Sequence, residues 1–367
     1  MGTLPYVAFF TWLGFSRAIY FNATDFREEY ICDVGGRTLG ICKDPGQCIA
    51  GSTASASCGI ESIWNVCCPF TTDKRLPAPI GEKSRQKCRD YAESLLEPRC
   101  PGFRPFNGSN EALPTEFPHM AALGYKLTFG SRELRWLCAG SLISELFVLT
   151  EHVCATGARG TGRPRRVRLG DVDLNSPEGD EYAQEIPIQK IHRLWKSKKA
   201  ESYHNVALLR LARAATFTPA VRPACLHTES IIPASGGVVA GWGKTSNEYG
   251  VQEKKVLRKA DLKFISRPYC EEIYEKDDFL GYVNNGLLIR NVYLCAGELD
   301  GSKDTCTGDG GAPLMVKLAS PYCTYSIVGV LAFGSVPCGQ PLKASVFTRI
   351  YNYIPWIEFI VWADEDK

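Results

Sequence analysis

The chain has 367 residues, of which 45% are hydrophobic, and its 42 Lys and Arg residues nearly balance 40 Asp and Glu residues. This composition excludes a mainly disordered chain, and the length allows one large domain and at least one smaller module. The formal net charge of +2 gives no indication of a nucleic-acid or membrane partner.

Residues 1–18 predict a secretory signal peptide. Leu4 to Phe15 is a short apolar run, and Ser16-Arg17-Ala18 follows it with small residues at two positions of a cleavage site. The run is too short to span a bilayer comfortably. Sixteen cysteines, an even and dense set, independently favour an oxidising, extracellular compartment. In that compartment the sequons at Asn22 and Asn107 are candidate glycosylation sites.

Residues 31–69 predict a small module held together by disulfides. Six cysteines stand between positions 32 and 68, among Gly, Ser and Ala and few large apolar residues. A segment this small needs covalent cross-links because it cannot build an adequate core. Zinc is disfavoured, since the segment has neither a CxxC pair nor a histidine.

The cysteine pattern resembles that of the arthropod clip domain. That domain ends in an adjacent cysteine pair, here Cys67-Cys68, and has five residues between its second and third cysteines, here Cys42 and Cys48. Spacing alone leaves the pairing open. The resemblance implies the disulfides Cys32–Cys67, Cys42–Cys58 and Cys48–Cys68.

Residues 70–105 predict a linker, because they are rich in Pro and charge. Within it, Lys74-Arg75 is the best dibasic candidate for cleavage, and a surface pair that is never cut fits almost equally well. Apolar residues at helical spacing predict a short helix over Arg85 to Leu96.

Residues 106–363 predict an all-β domain that closes with a helix. Short runs rich in Val, Ile and Leu are punctuated by Gly, Pro and Asn, as in Arg166 to Gly170 and Val238 to Gly243. Such runs predict many short strands. Apolar residues at helical spacing predict a final helix over Tyr353 to Trp362.

Several motifs of this domain resemble those of the chymotrypsin-like serine proteases. They are Glu116-Phe-Pro-His-Met120 for EFPWM, Cys138-Ala-Gly-Ser-Leu-Ile143 for CGGSLI, Val239-Ala-Gly-Trp-Gly243 for VAGWG, and Val328-Gly-Val330 with Phe333-Gly334 for VGIVSWG. Chance agreement at all of them in order is negligible. The resemblance implies two six-stranded β-barrels of the trypsin-like fold with a C-terminal helix, preceded by the clip domain.

The catalytic residues of that family are missing. There a serine attacks the substrate carbonyl, a histidine takes its proton and a buried aspartate orients the histidine. The matching motifs LTAAHC, DIALLRL and DSCxGDSGGPL place Val153, Asn205 and Gly310 at the three positions. None of these side chains is a nucleophile or a base, so the sequence predicts an inactive serine protease homologue.

Three histidines lie near these motifs. His152 stands one position before the catalytic histidine slot, and adjacent side chains point in different directions. We expect a surface or structural role for it. His192 and His204 are expected to be plain surface residues.

The activation segment departs from the family as well. In the family, cleavage after a basic residue frees an IVGG amino terminus, which pairs with the aspartate beside the serine. The matching segment here is Phe106-Asn-Gly-Ser109, with Pro105 before it and Arg104 one position too early. Asp309, the aspartate in question, is retained.

A remnant of the specificity pocket is predicted at three residues. Asp304 matches the carboxylate that pairs with Arg or Lys side chains of substrates, and Gly334 keeps the pocket wall open. Ser345 replaces a pocket glycine and is expected to narrow the slot. A structural relic is favoured over a pocket that binds a basic side chain.

The remaining cysteines support an intact domain. The resemblance implies Cys138–Cys154, Cys270–Cys295, Cys306–Cys338 and Cys100–Cys225. Cys88 and Cys323 are left over, and they are predicted to bridge linker and domain, because a free thiol is disfavoured in secretion.

Two charged clusters are weaker candidates. One acidic loop lies where some relatives hold calcium, although a solvated loop is favoured over a metal site and no metal is predicted; its residues are Asp171, Asp173, Asn175, Glu178 and Glu181. A basic set is either a docking patch or separate exposed loops; it comprises Arg163, Arg165, Arg166, Arg168, Lys196, Lys198 and Lys199.

The resemblance implies a secreted, non-catalytic cofactor, adaptor or regulator in an extracellular protease cascade of innate immunity, in melanisation through prophenoloxidase or in Toll signalling. The implied partners are clip-domain proteases or their substrates, and no cofactor is predicted. Two alternatives remain: an Arg- or Lys-specific serine endopeptidase with a displaced mechanism, and a protein that recognises microbial surfaces.

Overall fold

The chain is described here from a computed structural model. The described residues are 31–35, 38–43, 66–69, 81–93, 110–126, 133–157, 161–193, 205–232, 236–244, 255–275, 292–318, 324–334 and 337–362, with backbone alone for those before residue 70. Among them, no helix combines the length and apolar character needed to cross a bilayer.

Residues 31–69 contain a three-stranded antiparallel sheet. Strand β2 (Thr38–Lys43) lies between β1 (Ile31–Gly35) and β3 (Val66–Pro69). The predicted clip disulfides rest on side chains outside the description. The predicted signal peptide at residues 1–18, the sequons at Asn22 and Asn107, and Arg75 also lie outside the described residues.

The first large unit is a closed six-stranded barrel with the strand order β4-β5-β6-β9-β8-β7. Its strands are β4 (Met120–Tyr125), β5 (Arg135–Ser144), β6 (Phe147–Thr150), β7 (Arg166–Leu169), β8 (Gln184–Arg193) and β9 (Ala207–Leu211). Leu123, Leu142 and Leu209 are fully buried in its interior. Because successive strand residues face opposite sides, alternate side chains of each strand reach this core.

The second unit also forms a barrel of six strands. They are β11 (Gly237–Gly241), β12 (Arg258–Ile265), β13 (Tyr293–Gly297), β14 (Pro313–Leu318), β15 (Thr324–Phe333) and β16 (Ser345–Arg349). β16 pairs with both β13 and β15 and so closes the sheet. β10 (Cys225–Leu226) adds a parallel pairing to β15. The predicted trypsin-like fold of two six-stranded barrels with a C-terminal helix is confirmed.

The two barrels are joined by a shared core and by backbone contacts. Leu208 of the first barrel and Val330 of the second belong to one buried cluster with Ile357 of the C-terminal helix (Ile354–Trp362). The Ala139 N–H of β5 donates to the Gly310 carbonyl, which precedes β14, at 2.8 Å. The segments that carry the predicted site residues therefore start from this junction.

A helix lies within the predicted linker. α1 (Glu82–Glu93) begins and ends three residues earlier than predicted. Glu358 of the C-terminal helix accepts hydrogen bonds from the Gly81 N–H at 3.2 Å and the Ser84 N–H at 2.7 Å. These are amide groups that the first turn of a helix leaves without intrahelical partners, so Glu358 caps α1 from another element.

The disulfide at α1 corrects the predicted pairing. Cys88 bonds to Cys225 on β10, with 5.0 Å between their Cα atoms, so the predicted pairs Cys88–Cys323 and Cys100–Cys225 are wrong. Cys88 lies one turn after Ser84, on the buried face of α1, and that face packs against β10. The sequence shows no sign of this docking. Cys100 and Cys323 lie outside the described residues.

Three further disulfides lie within the described residues, all among those that the resemblance implies. They are Cys138–Cys154, Cys270–Cys295 and Cys306–Cys338. Every described cysteine with a placed side chain is therefore in a disulfide.

Candidate functional site

Three elements bring Val153, Asn205 and Gly310 together at the junction of the barrels. Val153 lies in the short helix α2 (His152–Thr156), which follows β6, while Asn205 precedes β9 and Gly310 precedes β14. The Val153 N–H donates to Asn205 Oδ1 at 3.3 Å. The Val153 side chain is 43% exposed, whereas Asn205 is buried. At this centre the exposed side chain is therefore the apolar Val153, and the buried side chain is the amide of Asn205.

A buried carboxyl group, that of Glu151, lies beneath these residues. Asn205 Nδ2 donates to Glu151 Oε2 at 2.9 Å. Glu151 Oε1 lies 3.1 Å from Cys154 Sγ, a disulfide sulfur with no hydrogen to donate. Burial raises the pKa of Glu151 to about 8, against the opposing effect of the Asn205 bond. At neutral pH the group is thus largely an uncharged acid.

Cys138, Glu151 and Cys154 come close enough to resemble a metal site. The two cysteines form a disulfide and have no thiolate to offer a metal ion. This is the single such cluster in the part of the chain that the structure describes.

Asp304 is engaged by neighbouring donors. Its Oδ1 accepts hydrogen bonds from the Thr305 N–H and the Ser345 hydroxyl, both at 2.8 Å, and its Oδ2 accepts one from the Gly339 N–H at 2.9 Å. The hydroxyls of Ser345 and Thr305 lie 2.7 Å apart, and both residues are buried. Since Ser345 donates to Asp304, the Thr305 hydroxyl donates to Ser345.

Hydroxyl groups also occupy the space beside Gly334. A Cβ atom at Gly334 would lie 3.1 Å from Thr305 Oγ1 and 3.5 Å from Ser345 Oγ. The three predicted pocket residues, Asp304, Gly334 and Ser345, are therefore brought together, with the Ser345 side chain inside the group.

We predict that Ser345→Gly lets the chain bind benzamidine, a small aromatic cation. The substitution removes both the hydroxymethyl group and a donor to Asp304, so the carboxylate gains room and capacity for an amidinium. A thermal-shift titration should show affinity at least about tenfold tighter than for the native chain. Ser345→Ala, which removes the hydroxyl and keeps Cβ, is the matched control. Equal affinities of all three proteins would contradict the prediction.

Asp309 is buried and accepts two backbone hydrogen bonds. Its Oδ1 accepts from the Gly243 N–H at 2.7 Å and its Oδ2 from the Cys306 N–H at 2.9 Å. Burial raises its pKa to about 6, with these bonds and the Lys255 charge opposing. A cavity of about 270 Å³ adjoins it. Gly241 and Gly243 pack so closely on the carboxylate that neither position has room for a Cβ atom.

Comparison with known proteins decides the family. The trypsin family profile matches residues 106–357. The chain belongs to the trypsin family. Its relatives include proteins named as serine proteases, as a proclotting enzyme and as phenoloxidase-activating proteins.

Serine protease snk of Drosophila melanogaster is 36% identical over 313 residues, which cover 81% of this chain and 68% of that protein. The proclotting enzyme of Tachypleus tridentatus is 27% identical over 360 residues, covering 90% of this chain and 89% of that protein. Phenoloxidase-activating factor 3 of Holotrichia diomphalia is 30% identical, covering 66% of this chain and 68% of that protein.

The acidic loop, the calcium candidate, is organised by an arginine. Arg168 on β7 donates from Nε to Asp171, from Nη2 to Asp180 at 2.6 Å and from Nη1 to Glu185 at 2.8 Å. The Arg168 side chain is 17% exposed and that of Asp171 is 2% exposed. The cation that balances these carboxylates is thus a side chain of the trypsin-family domain itself.

The other members of the acidic loop do not converge on one point. Asp173 Oδ1 accepts from the Asn175 N–H at 3.1 Å, and Glu178 donates its N–H to Ser176 Oγ. Both are local turn contacts of the kind that Asp and Ser make with a nearby backbone.

The predicted basic set is divided. Arg163, Arg165 and Arg166 are exposed, whereas Arg168 turns toward the carboxylates. Lys196, Lys198 and Lys199 lie outside the described residues.

The histidines are more buried than predicted. His152 is 3% exposed, so its role is structural and a surface position is excluded. His192 is 6% exposed and packs on Phe147 with 5.9 Å between ring centroids, so the predicted surface position is wrong. Burial lowers the pKa of His192 to about 4, and the charges of Lys190 and Arg210 add to this effect. His204 lies outside the described residues.

Sequence reasoning missed the roles of Glu151 and Arg168. Glu151 stands inside the segment that matches LTAAHC, and Arg168 is a member of the predicted basic set. The available signal at Glu151 was a large acid in place of the first alanine after Leu-Thr in LTAAHC. A charged residue is normally expected at the surface, so the letter alone does not predict burial.

Proposed function

We propose that this trypsin-family protein is a secreted, non-catalytic member that acts as a cofactor or adaptor in an extracellular protease cascade of innate immunity. The observation that carries the proposal is the group at the junction of the barrels. Val153 and Asn205 are hydrogen-bonded there and Gly310 lies against Glu151, and none of Val153, Asn205 and Gly310 can attack a carbonyl or take a proton from a nucleophile.

Two further features support a binding role. Asp304 is already engaged by three donors of its own chain, which disfavours capture of a substrate Arg or Lys. The disulfides at Cys138, Cys270 and Cys306 fit a protein that folds in an oxidising compartment. The names of the relatives place them among serine proteases and phenoloxidase-activating proteins, and the partners proposed here are proteases of that kind or their substrates.

The test has two arms. The native chain should not react with a fluorophosphonate probe or hydrolyse arginyl peptides. It should co-precipitate an active protease or a substrate of that protease from the extracellular fluid into which it is secreted. Reaction with the probe would establish the endopeptidase alternative. Retention on microbial surfaces in the absence of other proteins would instead establish the recognition alternative.

We predict that Val153→Asp weakens partner binding at least about tenfold, because Val153 is the exposed apolar side chain of the altered centre. Its 43% exposure allows the change without a cost in folding. Ile231→Asp is the matched control, since Ile231 is 80% exposed and stands two residues after Glu229, whose carboxylate lies 3.8 Å from Arg85 of α1. Binding measured by surface plasmon resonance should fall for the first variant alone. A similar loss for both variants would argue against docking at the centre.

We predict that cleavage after Arg75 releases the segment that ends at Arg75 without reduction, whereas a cut after Arg104 does not release it. Both cysteines of the Cys88–Cys225 disulfide follow Arg75, whereas Arg104 lies between them, so the disulfide bridges a cut at Arg104 alone. α1 therefore stays with the trypsin-family domain in both cases. Treatment with an active clip-domain protease, a non-reducing gel and terminal sequencing would decide the matter. Fragments that stay joined after a cut at Arg75 would show that the clip cysteines bond to the domain.

A further inference from the structure

The feature that the proposed function leaves unexplained is the buried Glu151 carboxyl group next to Gly310. A Cβ atom built on Gly310 would overlap Glu151 Oε1 and lie 3.3 Å from Cys154 Sγ. A Cβ atom in a folded protein essentially never comes this close to a non-bonded oxygen. Any side chain at position 310, a serine included, would need the volume that Glu151 occupies.

The backbone at Gly310 does not itself require glycine. Gly308 and Gly311 on either side of it have φ values of +102° and +79°, a region that other residues rarely adopt. Gly310 is not among the residues with positive φ. Glycine at position 310 is therefore explained by space, and the atoms that take the space are those of Glu151.

The Glu151 side chain is not free to move aside. It is 6% exposed, Asn205 Nδ2 holds its second oxygen at 2.9 Å, and its first oxygen contacts the disulfide at Cys154. Rotation of the Glu151 side chain out of this site would break its hydrogen bond to Asn205 Nδ2, and breaking a buried hydrogen bond costs free energy.

We propose that Glu151 is an internal plug, a side chain that fills the nucleophile site of the domain and makes Gly310 obligatory. Asn205, which stands at the position of the family's aspartate, holds the plug in place through its hydrogen bond to Glu151 Oε2. The large residue at 151 and the missing side chain at 310 are then one coupled change. The inference rests on the proposed function in that it names what closes the same centre.

The uncharged state of the plug agrees with its surroundings. Burial raises the pKa of Glu151, and the titratable group that its charge affects is Tyr125, whose hydroxyl donates to the Cys154 carbonyl at 2.7 Å. The described contacts of the carboxyl group include no Lys or Arg side chain. A neutral acid can fill such a space without a counter-ion.

A double-mutant cycle on the full chain tests the coupling. Gly310→Ala in the native background should lower the melting temperature by about 4–8 °C, as expected for overpacking in a domain of this size. In the Glu151→Ala background the same change should cost no more than about 1 °C. Glu151→Gln keeps the volume and cannot ionise at any pH, so the penalty of Gly310→Ala should persist there.

Gly311→Ala is the matched control. Its positive φ and its closeness to the Thr150 hydroxyl, the Ala139 carbonyl and the Glu151 backbone nitrogen make it costly for reasons that do not involve the Glu151 side chain, so its penalty should be the same in all three backgrounds. A Gly310→Ala penalty that is equal with and without Glu151 would overturn the plug. Relief by Glu151→Gln would overturn it too, since charge rather than volume would then be the cause. Reactivity of the native chain would refute the proposed function and leave this cycle unaffected.

Discussion

Restoring the three family residues with Val153→His, Asn205→Asp and Gly310→Ser is expected to leave the chain unreactive toward a fluorophosphonate probe. The serine introduced at position 310 would compete with Glu151 for the same space, so it could not take its place beside the introduced histidine. Adding Glu151→Ala, the residue of the family motif, should raise the rate of labelling by about 100-fold or more, the usual contribution of a positioned base. Mass spectrometry of the labelled peptide would measure the rate.

The comparison needs two controls. The variant with Glu151→Ala, Val153→His and Asn205→Asp but with Gly310 retained should not be labelled, which ties any signal to the introduced serine. Melting temperatures of all variants separate a loss of labelling from a loss of fold. Equal labelling of the triple and quadruple variants would mean that Glu151 yields to a serine, contrary to the expectation.

Arg168→Met is expected to lower the melting temperature by about 6–12 °C. The substitution removes the cation shared by Asp171, Asp180 and Glu185 and leaves these carboxylates to repel one another. Breaking a mostly buried ion pair on one side costs about 3 kcal/mol, and in a domain of this size each kcal/mol corresponds to about 2–4 °C. Differential scanning fluorimetry at neutral pH would measure the loss.

Calcium gives this prediction a second readout. With Arg168 gone, the freed carboxylate oxygens are ligands that calcium prefers, so millimolar calcium should raise the melting temperature of the variant and leave the native chain unchanged. Arg166→Met is the matched control, because Arg166 is exposed on the same strand. Equal melting temperatures of Arg168→Met and Arg166→Met would show that Arg168 does not organise the loop.

The barrels were predictable because the residues that define them are local and distinctive. Gly241 and Gly243 in the VAGWG match are needed where Asp309 approaches the backbone, and a glycine requirement of this kind can be read from the sequence. The disulfide of Cys88 could not be read in that way. It depends on where α1 docks, and docking depends on the distant Glu358 and on the face of the helix that packs against β10.

The candidate site shows the same division. Val153 and Gly310 can be recognised as departures from the sequence alone, because the family motifs have histidine and serine at these positions. The burial of Glu151 is not visible, since it requires that Asn205 supply a donor and that Gly310 leave room, and these three residues are far apart in the chain. The engagement of Asp304 likewise depends on Thr305 and Gly339 together with Ser345.

The hydrogen bonds at Asp309 bear on timing. In active members of the family, an amino terminus freed by cleavage pairs with the aspartate that matches Asp309, so part of the fold forms only after cleavage. Here the Gly243 and Cys306 amides already hold both oxygens in the uncut chain. We therefore expect the domain to reach its final shape as soon as it folds. Under the proposed function, control over its action would then fall on the proposed cleavage at Arg75 and on the supply of the proposed partners.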